Sequence, residues 1–168
     1  MDYTYANNFW QERDAKTKRM PREQLLQQIA LFLKKHNTCA LATGFGTKIR
    51  CTTLAYQYRK GKICIFSEGG EKFGLLEHNK EVALTIAEPY HGPGTAKGLQ
   101  IEGTAKVLGP DDADFASHLT ELGYPPERFQ KMNPPLFCII ISPKHIVFIH
   151  GDFKKEGYSV RQSLTYNA

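Results

Sequence analysis

Residues 48–67 read Lys48-Ile49-Arg50-Cys51-Thr52-Thr53-Leu54-Ala55-Tyr56-Gln57-Tyr58-Arg59-Lys60-Gly61-Lys62-Ile63-Cys64-Ile65-Phe66-Ser67. β-Branched and aromatic residues dominate this stretch, and such side chains suit a pleated, half-buried surface better than a helix. Arg59-Lys60-Gly61-Lys62 is its turn signal, so residues 48–58 and 63–66 read as successive antiparallel strands. Upstream, residues 38–43 form a further strand, joined to this one by a turn at Gly44-Phe45-Gly46.

Working outward, Leu25, Leu26, Ile29, Phe32 and Leu33 share one face of an amphipathic helix over residues 22–36, with Pro21 at its entry and Asn37 as a left-handed terminator. On the other side, residues 72–79 read as a short helix and residues 82–87 as a strand. The Pro/Gly-rich segment 89–94 is a loop. Residues 98–108 form a strand with Gly103 at a bend or bulge. Pro110-Asp111-Asp112 opens a helix carrying Phe115, Leu119 and Leu122, which Gly123 stops. After the proline-punctuated segment 125–135, residues 137–141 and 146–149 read as a hairpin about Ser142-Pro143-Lys144. Such an antiparallel set favours a mainly β fold: a small barrel of about six to seven strands with peripheral helices, because closure removes exposed edges.

Composition agrees with one globular unit. The chain has 168 residues, 41% of them apolar and 23% charged, which suits a single core. The expected organisation is an arm over residues 1–21, a barrel domain over 22–150 and a tail over 151–168 that crosses to another subunit or stays free. Residues 1–14 lack the apolar segment of a secretory signal, and the apolar run 136–141 is too short to span a bilayer, so a cytoplasmic location is expected. Cys39, Cys51, Cys64 and Cys138 lack the spacing of a zinc or redox pair and are expected to be reduced and buried. The net charge of +5 comes from 22 basic residues interspersed with 17 acidic ones. The densest basic cluster, Arg13, Lys16, Lys18, Arg19 and Arg22, reads as a solvated arm.

The order of these elements, with Ile49-Arg50-Cys51-Thr52-Thr53, Phe66-Ser67, Lys72, Asn79-Lys80-Glu81-Val82-Ala83-Leu84 and Leu99-Gln100-Ile101-Glu102-Gly103-Thr104-Ala105, resembles the pyridoxamine 5′-phosphate oxidase-like FMN-binding split-barrel superfamily. The resemblance covers residues 22–149. It implies a split β-barrel of Greek-key type and a homodimer with flavin at the interface. By resemblance, Arg50, Ser67 and Lys72 hold the FMN phosphate, Thr52 and Thr53 offer a hydroxyl or backbone group, and Cys51 and Phe66 supply backbone and apolar walls. A phosphate needs charge and several donors, which this set provides. Gln100 faces either the flavin or solvent according to strand register. His91 occupies a rim position where it meets substrate or is simply solvated.

The implied activity is FMN-dependent oxidoreduction on a small molecule, with an electron donor such as NAD(P)H and no catalytic residue assigned. True pyridoxamine-phosphate oxidases end in a tryptophan-bearing segment and an Arg-x-His-x-Arg-like motif. Here the only tryptophan is Trp10 and the tail reads Ser159-Val160-Arg161-Gln162-Ser163, so vitamin B6 phosphate is not the expected substrate. Other readings remain open: a haem-binding or haem-degrading barrel using His145 or His150, a non-catalytic flavin binder, and a single-stranded nucleic-acid binder. No metal site is expected, because the histidines lack ligand spacing and carboxylate companions.

Overall fold

In the computed structural model, which describes residues 3–166, two helices, α1 (Thr4–Ala15) and α2 (Arg22–Lys35), precede the first strand. The strands β1 (Thr38–Phe45), β2 (Lys48–Ala55), β3 (Gln57–Arg59) and β4 (Lys62–Ser67) follow, then helix α3 (Glu71–His78) and strands β5 (Glu81–Ala87) and β6 (Lys97–Leu108). Helices α4 (Phe115–Glu121) and α5 (Pro126–Gln130) lead to strand β7 (Phe137–His150), a 3-10 turn over Gly151–Glu156 and strand β8 (Arg161–Thr165). The antiparallel sheet runs β2-β1-β5-β6-β7-β4-β3, and β8 pairs with β7.

The two ends of that order, β2 and β3, are consecutive in the chain and separated only by Tyr56. The sheet therefore closes on itself through a covalent corner, the split barrel expected from the sequence. Tyr56 is buried at that corner. Its N–H donates to the Asn37 carbonyl at 2.8 Å and its hydroxyl to the Leu33 carbonyl at 2.9 Å, which ties the corner to the end of α2. The β3–β4 turn has positive φ at both Lys60 (48°) and Gly61 (76°), the primed geometry that matches strand twist.

Inside the barrel, Leu41, Leu84, Ile86, Leu99, Ile101, Ile141, Ile146 and Phe148 pack with Leu25, Ile29 and Leu33 of α2. A second cluster lies on the outside of β4 and β7, where Cys64, Cys138 and Ile140 meet Phe115, Leu119 and Leu122. Strands covered on both faces lose polar alternation. This accounts for the continuous apolar runs at Ile63-Cys64-Ile65 and 138–141, in contrast to β5, where Val82, Leu84 and Ile86 point in and Ala83, Thr85 and Ala87 point out.

Several expectations are corrected. Residues 137–150 are one strand, with no hairpin: β6 pairs along nearly all of it, and the register passes from Glu102↔His145 to Gly103↔Pro143, leaving Lys144 as the extra residue of a bulge. A proline without an N–H is tolerated there. Asn37 is not left-handed, since Lys60 is the one non-glycine residue with positive φ among those described. Strand β1 continues through Phe45, and α4 begins at Phe115, three residues beyond Asp112. The tail is neither free nor detached, because its residues 161–165 pair with β7. Cys51 is exposed, while the other three thiols are buried.

A Cβ at Gly103 would lie 2.5 Å from the Ser142 carbonyl oxygen. Gly103→Ala is therefore expected to lower stability by about 1–3 kcal/mol in urea unfolding, because the bulged backbone of β7 must shift to admit it.

Candidate functional site

Strand β4 ends at Ser67, and Glu68-Gly69-Gly70 carries the chain into α3. Gly70 has φ of 112°, and a Cβ there would sit 3.2 Å from Lys72 Nζ, so glycine both permits the turn and leaves room for the lysine. Lys72 is only 5% exposed. Its ammonium donates to the Gly69 carbonyl and lies 4.8 Å from the Phe73 ring centroid. Among the described residues it has no carboxylate partner. Burial, and then the Arg50 charge, hold its pKa below the ordinary lysine value.

Arg50 reaches this point from β2. It lies opposite Thr43 in the β1–β2 register, on the side of the strand that looks toward α3, and it pairs with Glu71. Both partners are largely exposed, and such pairs contribute only about 0–1 kcal/mol. The Ser67 hydroxyl donates to the Gly69 carbonyl at 3.3 Å. Two cations, a hydroxyl and the start of α3 thus converge, with the weakly held Glu71 carboxylate as the only anion paired with them among the described residues. The arrangement suits a phosphate, which would satisfy both cations and displace Glu71. From Arg50 and Glu71 a cleft of about 890 Å³ continues between the β1–β2 turn and α3, past Lys48, Ile49 and a stacked Phe45–His78 pair with centroids 4.8 Å apart.

The remaining expected residues divide between faces. Thr52, opposite Leu41, shares the face of Arg50, whereas Cys51 and Thr53, opposite Ala42 and Ala40, point outward. Gln100 also points outward, opposite Thr85. Cys51 and Gln100 line a shallow depression of about 270 Å³ together with Ala40, Ala42, Ala83 and His145. The result is a platform of small side chains, able to accept a flat body. Phe66 does not join it: its ring stacks on Phe129 at 4.5 Å and meets Tyr124 edge-on at 5.1 Å, under α5.

His91 lies in the exposed loop, where its N–H donates to Thr95 Oγ1. His145 Nδ1 is 2.9 Å from Thr165 Oγ1. His150 stacks on Phe153 with centroids 4.9 Å apart, and burial lowers its imidazole pKa. No group of three or more His, Cys, Asp or Glu is placed to hold a metal among the described residues. Burial pushes the Cys39 and Cys64 thiols up to about 11 and the Cys138 thiol up to about 12, so these three are poor nucleophiles.

Glu71 and Thr43 were not anticipated. Thr43 is buried opposite Arg50, and its hydroxyl finds no hydrogen-bond partner among the described residues. The adjacency of Glu71 to Lys72 was visible in the sequence, but its reach across to β2 was not.

No protein-family model and no curated protein matches this sequence. Solved structures do share the fold. A pyridoxamine 5′-phosphate oxidase-like protein of Listeria innocua superposes with a TM-score of 0.55 at 21% identity, covering 74% of this chain and 97% of that one. A FAD-binding protein of Mesorhizobium loti gives 0.54 at 18%, covering 72% and 89%. HutZ, the haem storage protein of Vibrio cholerae, gives 0.53 at 16%, covering 70% and 89%. The architecture is thus the split barrel of pyridoxamine 5′-phosphate oxidase-like and flavin-binding proteins, a fold that a haem protein also uses.

Because the folded pKa of Lys72 lies below its unfolded value, the unfolded chain holds more protons in the window between the two. Stability contributed by this group therefore rises with pH through that window and is lowest below it. Lys72→Met is expected to unfold at higher urea than the wild type near neutral pH, with the difference narrowing toward about pH 10, the ordinary lysine range.

Proposed function

We propose that this protein is an FMN-binding flavoprotein that works as an FMN-dependent oxidoreductase on a small molecule, as a homodimer. The observation that carries the reading is the buried Lys72 ammonium beside Arg50, two cations that repel one another and are balanced by nothing stronger than an exposed glutamate. A bound phosphate monoester removes that imbalance. The flavin-related structures that share the fold support the same cofactor class.

In this reading Arg50, Lys72 and Ser67 hold the phosphate, with Thr43 and Thr52 on the same side of the sheet. Thr53, Gln100 and the Cys51 backbone flank the ring, and Ala40, Ala42 and Ala83 keep the platform low enough for a flat body to lie against it. The flavin, when bound, supplies hydride and electron transfer; the chain supplies anchoring, orientation and exclusion of water, and needs no acid–base pair of its own. A second copy related by two-fold symmetry covers the outer face and shields the ring. Substrate is unassigned, and NAD(P)H is the proposed donor. Free thiols and the absence, among the described residues, of a helix long and apolar enough to cross a membrane suit a cytoplasmic protein. The alternative reading, a haem-binding barrel, would use His145 or His150 as the iron ligand and is separated from the flavin reading by the absorption spectrum.

The purified protein is expected to show a flavin absorption spectrum, or to acquire one on adding FMN, with the released chromophore identified by mass. A colourless protein that ignores FMN, or one with a haem band, would overturn the assignment. Arg50→Ala combined with Lys72→Ala should release flavin from a protein whose circular dichroism is unchanged. Glu71→Gln should instead tighten flavin binding severalfold, since it removes the competing carboxylate; weaker binding would count against the phosphate position.

A further inference from the structure

The turn between β1 and β2 leans on helix α3. Thr43, Phe45, Lys48 and Arg50 share one face of this hairpin, because Thr43 lies opposite Arg50 and Phe45 opposite Lys48. That face looks at α3, where Glu71 pairs with Arg50 and the His78 ring stacks on Phe45 at an interplanar angle of 23°. Just past the stack, Asn79 Nδ2 donates to the Gly44 carbonyl at 2.8 Å, which fixes the helix to the hairpin at the far end of the cleft between them.

At about 890 Å³ this cleft has the size of a small-molecule site. Glu71, Gly74, Leu75 and His78 form its helical wall, at the spacing of one helix face. Gly74 stands in the middle of that face. A glycine inside a helix is destabilising relative to alanine, and a Cβ here would meet nothing within 4 Å, so no neighbouring chain requires the glycine. Its missing side chain keeps the wall low. On the opposite wall Phe45 is 53% and Ile49 83% exposed, two large apolar side chains left open to the cleft. Lys48, on the same wall, has no carboxylate partner among the described residues.

We infer that this cleft is an adenylate subsite and that the flavin site takes FAD in preference to FMN, with the mononucleotide half at the anchor proposed above and the AMP half between α3 and the β1–β2 turn. The position of the first phosphoryl group at Arg50 and Lys72 rests on the flavin reading. FMN ends there, at the mouth of the cleft, whereas FAD continues through a second phosphoryl group. Lys48 lies two residues from Arg50 on the same face, about 7 Å along the strand, and its free ammonium meets that second group. Glu71, the one carboxylate lining the cleft among the described residues, gives way to the first phosphoryl group as it does for FMN. The Phe45 ring has one face on His78 and more than half of its surface open, a flat, pre-positioned partner for adenine. Gly74 leaves room for the ribose. Stacking of this kind does not choose among bases, so it is the covalent link to the flavin that brings adenylate here. A separate nucleotide would compete with the flavin for Arg50; a single ligand spans both.

FAD and FMN titrated separately into the flavin-free full-length protein and followed by calorimetry should differ, with FAD about tenfold tighter. Phe45→Ala combined with Lys48→Ala, both at exposed positions, should weaken FAD by about tenfold and leave FMN within about twofold, at unchanged circular dichroism. Gly74→Leu fills the cleft from a helix position that leucine favours, so it should fold and should likewise weaken FAD while sparing FMN. Equal affinity for the two flavins, equal loss of both in the double variant, or undiminished FAD binding in Gly74→Leu would each overturn the adenylate subsite and leave the FMN reading standing. So would an FAD affinity that falls as protein concentration is raised, which would assign the cleft to a second copy of the chain. A protein that takes up neither flavin removes the flavin reading and the subsite together.

Discussion

Everything in this structure depends on the corner at Tyr56. A seven-strand path whose two end strands were distant in sequence would be an open sheet with two exposed edges, each a template for pairing with other chains. Here the end strands are joined by one residue, so closure costs almost no loop entropy. A buried tyrosine must satisfy its hydroxyl, and the Leu33 carbonyl does so from the end of α2, while the Asn37 carbonyl takes its N–H. The helix that plugs the barrel and the strands that close it are thus locked by the same side chain.

Closure also decides which residues can serve a ligand. Strand β2 pairs with β1 along its whole length but is little covered on either face, which leaves Ile49 83% exposed. Its alternation sends Arg50 toward α3 and Cys51 toward the outer platform. One strand thereby presents Arg50 to Glu71 of α3 on one side and Cys51 to a flat surface on the other. An elongated ligand with a charged end and a planar end would meet both by wrapping the edge of the sheet. Lys72, buried and without a carboxylate partner among the described residues, holds its charge at a cost to stability, as its lowered pKa reflects.

Strand β7 links this region to the rest. It pairs with β6, β4 and β8, and its bulge at Lys144 lets it follow β6 around the barrel while β4 and β8 share its other edge. Through β8 and Gln162, the same strand orders the N-terminal arm against the C-terminal segment. A basic sequence that would be solvated in isolation becomes the wall of a cleft because hydrogen bonds across more than 140 positions hold it there.

The sequence by itself determined the local structure: helix α2 from its apolar spacing, the turn at Lys60-Gly61, the loop after β5, the bulge position at Gly103, and the placement of Thr52 and Thr53 on opposite faces. These follow from periodicity and backbone preference, which act between neighbours. Arg50, Ser67 and Lys72 were grouped only through the resemblance to the split-barrel superfamily, since nothing in local periodicity links a residue of β2 to the end of β4 and the start of α3. Tertiary structure decided what distant chain covers. Ser142-Pro143-Lys144 has the composition of a turn but continues a strand, because β6 supplies pairing on both sides of it. Phe66 was drawn under α5 by Phe129, Cys51 was left bare because no described element packs over the outer face of β2, and Glu71 meets Arg50 only through the approach of α3 to the other face. Such outcomes depend on contacts between residues far apart in the chain, and no local pattern encodes them.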